Sequence, residues 1–249
     1  MSVLTILVPQ GAEYQAVCRG LESQRIANRS PQVFLQESPP ALPQVLAIPA
    51  GLSPVQRWLE QLVRKQTPLP SAVLVLGLCG ALHDRGDQAA IGSTVVYRAC
   101  LDPQGKQWDC ADLRQIGLAS DRAASLALQP AKGISCDRVI HLAQEKQQLA
   151  QQVQADVVDM ENTAILEFFS RYNIPVAIVR VISDDAQHDL PDLSQGFDDQ
   201  GQLRPLALAL AMVQRPIAAV RLIRGSLTAL KILERLSGEL IQSPCPSQD

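Results

Sequence analysis

The sequence contains no Cys-x-x-Cys pair. Its six cysteines, at positions 18, 79, 100, 110, 136 and 245, share no zinc-type spacing with its three histidines. The first apolar run, Val3 to Val8, is too short for a signal peptide and lacks a basic flank. The expectation is therefore a cytoplasmic protein with reduced thiols. No stretch approaches the ~20 apolar residues of a membrane span. No internal repeat or low-complexity tract is present. Acids and bases nearly cancel, at a net charge of −3, so nothing points to a nucleic-acid partner. The glycine stretch GLCGAL (77–82) is neither a GxGxxG fingerprint nor a P-loop, since no G-K-[ST] follows. The acidic loop after Asp184 lacks the DxDxDG pattern of a calcium site and reads as a solvated lid that also carries His188.

What is present centres on Val157–Asp185, VVDMENTAILEFFSRYNIPVAIVRVISDD. It reads strand, helix, strand. Ile165, Phe168, Phe169 and Tyr172 fall at i, i+3, i+4 and i+7, one helical face. Asn173 and Pro175 stop that helix. The run Ile174–Ile182 is β-branched almost throughout, as in a strand buried on both faces. Glu161 and Asp184 lie at the C-terminal ends of the two strands, where open α/β sheets bind ligands. Each acid singly also reads as a helix-start acid or an arginine partner, because Arg180 inside a buried strand needs a carboxylate.

Upstream, residues 2–8 predict a first strand, and Glu13 opens the following helix. On position alone Glu13 is equally a helix-dipole carboxylate. Residues 21–50 suggest short strands and Pro-rich turns. Residues 53–65 predict a helix with Ser53 as N-cap and Pro54 at N1, packing Val55, Trp58, Leu59 and Leu62 on the sheet. Residues 72–82 predict a buried strand running into a turn at Gly77 and Gly80. Residues 97–132 look irregular, and 143–153 predict a polar helix. Cys79 reads as a small buried filler, since no histidine has an evident pairing with it.

V-D-M-E (158–161) followed by R-V-I-S-D (180–184) resembles the signature of the purine nucleoside phosphorylase superfamily, in particular its methylthioadenosine/S-adenosylhomocysteine nucleosidase branch. GLCGAL, I-G-S-T-V-V (91–96) and GISCDRVI (133–140) resemble three further segments of that family. The resemblance implies a single-domain, three-layer α/β/α fold with a central mixed, twisted sheet. Residues 1–203 would form it, with C-terminal amphipathic helices over 204–241 and a tail at 242–249. It also implies an enzyme that cuts the bond between purine and ribose.

The roles follow from the resemblance. Asp184 would protonate the purine near N7, and a buried strand end favours a protonated carboxyl. Glu161 would grip the ribose hydroxyls, with Met160 walling the sugar. Glu13 would aim water at C1′. Cys79, Gly80, Val139 and Asp159 would also line the substrate site, and Arg180 and Ser183 would support Asp184. Val139 stands where the nucleosidases carry a base-stacking aromatic. Val75 and Leu78 stand where the phosphorylases bind phosphate, so water is favoured as nucleophile. A phosphate-dependent reaction would need other donors, such as Arg85 or Arg19. The resemblance implies no cofactor and no metal, phosphate as an optional co-substrate, and a homo-oligomer.

The tail narrows the likeness. D-R-V-I (137–140), the Leu190-Pro191 loop, the D-x-x-G turn (198–201) and R-P-L-A-L (204–208) resemble the hopanoid-associated phosphorylase subgroup. Its members release adenine from adenosylhopane. Arg221, Arg224, Lys231 and Arg235 share one stripe of a helical wheel, with Val220, Ile223, Leu227, Leu230 and Leu233 opposite. Such a helix either lies on an anionic membrane surface, through residues 217–236 at the inner membrane, or covers a sheet. A methylthioadenosine nucleosidase, a phosphorylase and a non-catalytic nucleoside-binding module stay open beside the adenosylhopane reading.

Overall fold

The computed structural model describes residues 4–27, 43–83, 90–118, 124–194, 196, 198, 200–202 and 204–241. In chain order they form β1 (Leu4–Pro9), α1 (Ala12–Ala27), β2 (Gln44–Ile48), α2 (Leu52–Arg64), β3 (Ala72–Ala81), β4 (Thr94–Leu101), β5 (Gln107–Asp109), β6 (Gln129–Ser135), α3 (Ala143–Val153), β7 (Val157–Asp159), α4 (Asn162–Ser170), β8 (Val176–Asp184), α5 (Pro205–Gln214) and α6 (Pro216–Ile241). The strands make one mixed sheet, β2-β1-β3-β7-β6-β4-β5, with β8 pairing both β3 and β4.

That double pairing closes part of the sheet. One edge of β3 carries β1 over Ala72–Val75 and then β7 at Gly80–Ala81. The other edge carries β8 along its length. β8 continues antiparallel onto β4, and β4 returns through β6 to β7. Strands β3, β8, β4, β6 and β7 thus form a ring, with β1 and β2 as an open wing.

Period-two alternation sorts the side chains of β1, β3 and β8 into two cores. Leu7, Val73, Val75 and Ile178 meet Val55 and Leu59 of α2 and Ile165, Phe168 and Phe169 of α4. Ile6, Val8, Leu74, Leu76 and Val179 meet Ala16 and Val17 of α1 and Ala229, Leu233 and Leu236 of α6. This is helix, sheet, helix: three layers, each sheet face fully used. Burying one such aliphatic side chain contributes about 1.5–3 kcal/mol.

Several expectations need correction. Residues 21–27 continue α1 as helix, and Gly20 lets that helix pass close to the Glu234 carbonyl of α6. The prolines at 31, 39 and 40 lie outside the described residues. The N-cap of α2 is Gly51 at φ 96°, not Ser53, and no side chain caps it; glycine alone takes that φ without strain. Gly77 and Gly80 lie within β3, not in a turn. The stretch 97–132 is more regular than its composition suggests, holding most of β4, all of β5 and a 3₁₀ turn at Leu113–Ile116.

The C-terminal helix turns a different face to the sheet from the one its bulk predicts. Ala219, Gly225, Ala229, Leu233, Leu236 and Leu240 are buried, while Val220, Ile223 and Leu227 stand exposed. The reason is close approach: a Cβ on Gly225 would collide with the Ser183 carbonyl of β8. Small residues let α6 press on the strand end, and larger ones at those positions would hold it off. Among the described residues, no helix is long and apolar enough to cross a membrane.

Candidate active site

At the C-terminal ends of β1, β3, β7 and β8 lies a cavity of about 340 Å³. Its wall includes Glu13, Cys79, Gly80, Val139, Asp159, Met160, Glu161, Ser183 and Asp184. Arg180, the remaining residue singled out in the sequence, lies fully buried beneath the cavity and not on its wall. Residues far apart in sequence therefore converge on one hollow.

Glu13 reaches the cavity from the first turn of α1, and its Oε2 accepts from the Leu78 backbone N–H at 2.8 Å. A Cβ at Gly77 would sit 2.5 Å from that same oxygen and would collide with Arg180. This is why a strand tolerates glycine here: the missing side chain makes room for an acid on one side and a guanidinium on the other. Burial raises the Glu13 carboxyl from 4.5 to about 7, with Arg180 opposing and Glu161 adding to the rise. A carboxyl poised there is suited to general-base work near neutral pH.

Glu161 is the N-cap of α4, immediately after β7. Its carboxylate accepts from Gly51 N at 3.3 Å and Met160 N at 3.4 Å, and faces Arg180 Nη2 at 3.5 Å. Burial raises its carboxyl, with Arg180 opposing. Arg180 has its shortest bond to Asn162 Oδ1, at 2.5 Å, and gives another to the Leu78 carbonyl at 3.2 Å. It therefore braces Glu161 and the stretch of β3 whose Leu78 amide holds Glu13. The expectation that Arg180 supports Asp184 is corrected, because its described bonds all run elsewhere.

Asp159 lines the cavity, as expected, and is also heavily hydrogen-bonded. Its Oδ1 accepts from Ser135 Oγ at 2.7 Å, Glu161 N at 3.0 Å and Asn162 N at 2.9 Å, and its Oδ2 from Asn162 Nδ2 at 2.7 Å. These bonds build the turn that presents Met160 and Glu161. Cys79 is buried and its thiol is pushed far up by desolvation, as an inert filler would be.

Asp184 is aimed by a bulge. β3 and β8 pair Cys79 with Ile182 and then Gly80 with Asp184, leaving Ser183 as the extra residue. Ser183 Oγ bonds both the Cys79 carbonyl, at 3.2 Å, and Asp184 Oδ1, at 2.7 Å. Asp184 Oδ2 lies 2.7 Å from where a Gly80 Cβ would be. That oxygen also takes the ammonium of Lys146, whose side chain is fully buried. The sequence reading missed Lys146: the helix AQEKQQLAQQV looks solvated, and nothing local marks one of its polar residues as buried.

The wall is completed by residues that the sequence reading did not assign. Leu222, Ser226 and Leu230 of α6, Leu190 and Leu193 of the acidic loop, and Ile140 give it an apolar side. The loop is anchored at Gly201, whose carbonyl accepts from Gln10 Nε2 at 3.0 Å. His188 stays exposed beside Asp185. Among the described residues, no three acidic, cysteine or histidine side chains gather as metal ligands.

Residues 55–214 match the model of the Phosphorylase superfamily. The chain belongs to that superfamily. It is accordingly an enzyme, and its three-layer fold with C-terminal helices recurs in solved members. A methylthioadenosine/S-adenosylhomocysteine nucleosidase mutant of Helicobacter pylori, with 5′-methylthioadenosine in its active site, matches at 15% identity and a TM-score of 0.60, over 96% of this chain and 100% of that one. Futalosine hydrolase of the same organism matches at 16% identity, a mutant form at a TM-score of 0.61 over 96% of this chain and 100% of that one, and the native form at 0.60 over 96% and 98%. The Campylobacter jejuni methylthioadenosine/S-adenosylhomocysteine nucleosidase matches at 14% and 0.58, over 94% and 100%. No curated protein matches in sequence. At these identities the structural likeness concerns the fold.

Proposed function

We propose that this enzyme hydrolyses the N-glycosidic bond of a 5′-substituted adenosine and releases adenine. The observation that carries the reading is the convergence of Glu13, Glu161 and Asp184, from three distant segments, on one cavity. Cleaving that bond leaves an electron pair on the purine and positive charge on the ribose. Asp184, at the rim beside Gly80, protonates or hydrogen-bonds the purine. Glu161, held by Gly51, Met160 and Arg180, binds the ribose hydroxyls and favours the cationic sugar. Glu13 removes a proton from the attacking water.

Water is favoured over phosphate. Val75 is buried in β3, and Leu78 turns its backbone N–H to Glu13. Arg19 is bonded to Glu234 at 2.8 Å, and Arg85 lies outside the described residues. A carboxylate at Glu13 would also repel a phosphate dianion.

The proposed substrate is adenosylhopane, in hopanoid lipid biosynthesis, in the cytoplasm or at the inner membrane. The apolar wall from Ile140, Leu190, Leu193, Leu222 and Leu230 supports a bulky apolar 5′ group. Exposed Leu210, Val213, Ile217, Val220, Ile223 and Leu227 along α5 and α6, with Arg224 and Lys231 also exposed, support peripheral contact with an anionic membrane or a homo-oligomer interface. Methylthioadenosine and S-adenosylhomocysteine are the alternative substrates. Mass spectrometry of products from all three nucleosides, with and without phosphate, tests the reading. Adenine with free ribosyl product supports it, a ribose 1-phosphate product turns it to a phosphorylase, and no base release leaves a binding module.

A further inference from the structure

Lys146 is fully buried, and it is the most deeply buried residue of α3, a helix otherwise rich in exposed polar side chains. Its ammonium bonds Asp184 Oδ2 and gives a second bond, at 2.7 Å, to the Asp185 carbonyl. Ser183 Oγ occupies Asp184 Oδ1 at 2.7 Å. Both oxygens of the acid at the cavity rim are therefore engaged, one by a cation.

An isolated buried carboxyl would keep its own proton; a carboxylate bonded to an ammonium does not need to. Lys146 Nζ thus lies within one proton transfer of the Asp184 oxygen at the cavity rim. We infer that Lys146 is a positioning residue that supplies Asp184 with the proton passed to the purine. This rests on the glycosidase reading above.

The step balances. As the C1′–N9 bond breaks, its electron pair passes to the purine. A proton moves from Lys146 Nζ to Asp184 Oδ2 and on to purine N7, leaving a neutral amine. The water oxygen bonds C1′ and gives one proton to Glu13. Solvent carries a proton from Glu13 back to Lys146. Asp184 ends as it began.

The surroundings isolate the pair. Asp185 turns its carboxylate to His188, with Oδ1 and Oδ2 each 3.0 Å from Nδ1. On α3, Glu145 pairs outward with Arg138. His141, preceding α3, faces Asp192 at 4.0 Å. Among the described groups, Asp184 is the charged partner of Lys146.

The test is a double-mutant cycle with Lys146→Met, Asp184→Asn and the pair together, on whichever of methylthioadenosine, S-adenosylhomocysteine or adenosylhopane the wild type cleaves best. Lys146→Met lowers kcat about 100-fold, the range of one proton transfer, with KM within about threefold. The basic limb of its kcat profile moves to lower pH. In the Asp184→Asn background the same change costs nothing further, because the lysine acts through that acid. Should Lys146→Met fail to fold, the pair mutant lacks the unpaired buried charge, and its kcat against Asp184→Asn decides. An additive loss in the double mutant, or an unchanged kcat and pH profile in Lys146→Met, overturns the inference. A wild type that cleaves none of the three nucleosides overturns the glycosidase reading, and this inference with it.

Discussion

Leu78 gives its backbone N–H to Glu13 Oε2 at 2.8 Å, fixing an acid from α1 against the middle of β3. The bond spans 65 residues and sets where a general base stands relative to the cavity floor. Because the amide is fixed, the carboxylate can turn only within a small arc. Glu13→Gln keeps the acceptor oxygen and removes the base. It should lower kcat by ~10²–10⁴-fold, with the substrate Kd little changed, as isothermal titration and initial rates would show.

The same residue predicts a pH dependence of rate. With its carboxyl raised to about 7, Glu13 is protonated and idle well below that pH. The kcat/KM profile should therefore rise through an acidic limb near pH 7. A limb near the ordinary carboxylate value would place the base elsewhere.

Stability should run the opposite way. At low pH Glu13 is neutral in folded and unfolded chains alike. As pH rises past 4.5 the unfolded chain ionises first, so stability is lost progressively until the folded carboxyl ionises at about 7. The half-buried position in the open cavity limits the effect to about 1–2 kcal/mol. Glu13→Gln should thus be more stable than wild type at pH 8 and equal to it at pH 4, a crossover readable in urea midpoints.

Gly77 faces a clash on both sides, with Glu13 2.5 Å from an added Cβ and Arg180 nearer. Gly77→Ala should cost about 1–3 kcal/mol as an overpacked site. It should also lower kcat, because the side chain that must move is the proposed base. Gly105→Ala is the comparison: nothing lies within 4 Å of its added Cβ, so its cost comes from the φ of 83° alone and should leave kcat intact.

Arg180 braces Glu161, Asn162 and the Leu78 carbonyl from a fully buried position. Arg180→Met should destabilise by about 3–5 kcal/mol, since it leaves the Glu161 carboxylate buried without its cation. The carboxyl of Glu161 should then rise further, and activity should weaken through KM as the ribose grip loosens.

Much of this fold is legible in residues 157–185. A β-branched run flanked by turn residues leaves few choices, and the helix between the strands repeats its apolar residues at helical spacing. The acids at the strand ends are legible for the same reason, because a carboxylate directly after a buried strand has little room to be incidental. Other features depend on distant partners. Lys146 is buried because the end of β8, 38 residues later, brings a carboxylate over it. Asp159 is held by Ser135 and the first amide of α4, partners that no local pattern announces. The face of α6 misleads because bulk is a poor guide where helix and strand touch: Gly225 meets the Ser183 carbonyl, and the larger Val220, Ile223 and Leu227 turn away.

The most direct measurement is base release by the wild type and by Glu13→Gln and Asp184→Asn, followed by mass spectrometry in phosphate-free buffer containing oxygen-18 water. Adenine should appear with the wild type and be strongly reduced with either variant, and one oxygen-18 should enter the ribosyl product. Unlabelled or phosphorylated sugar, or equal release by all three proteins, would contradict hydrolysis by these acids.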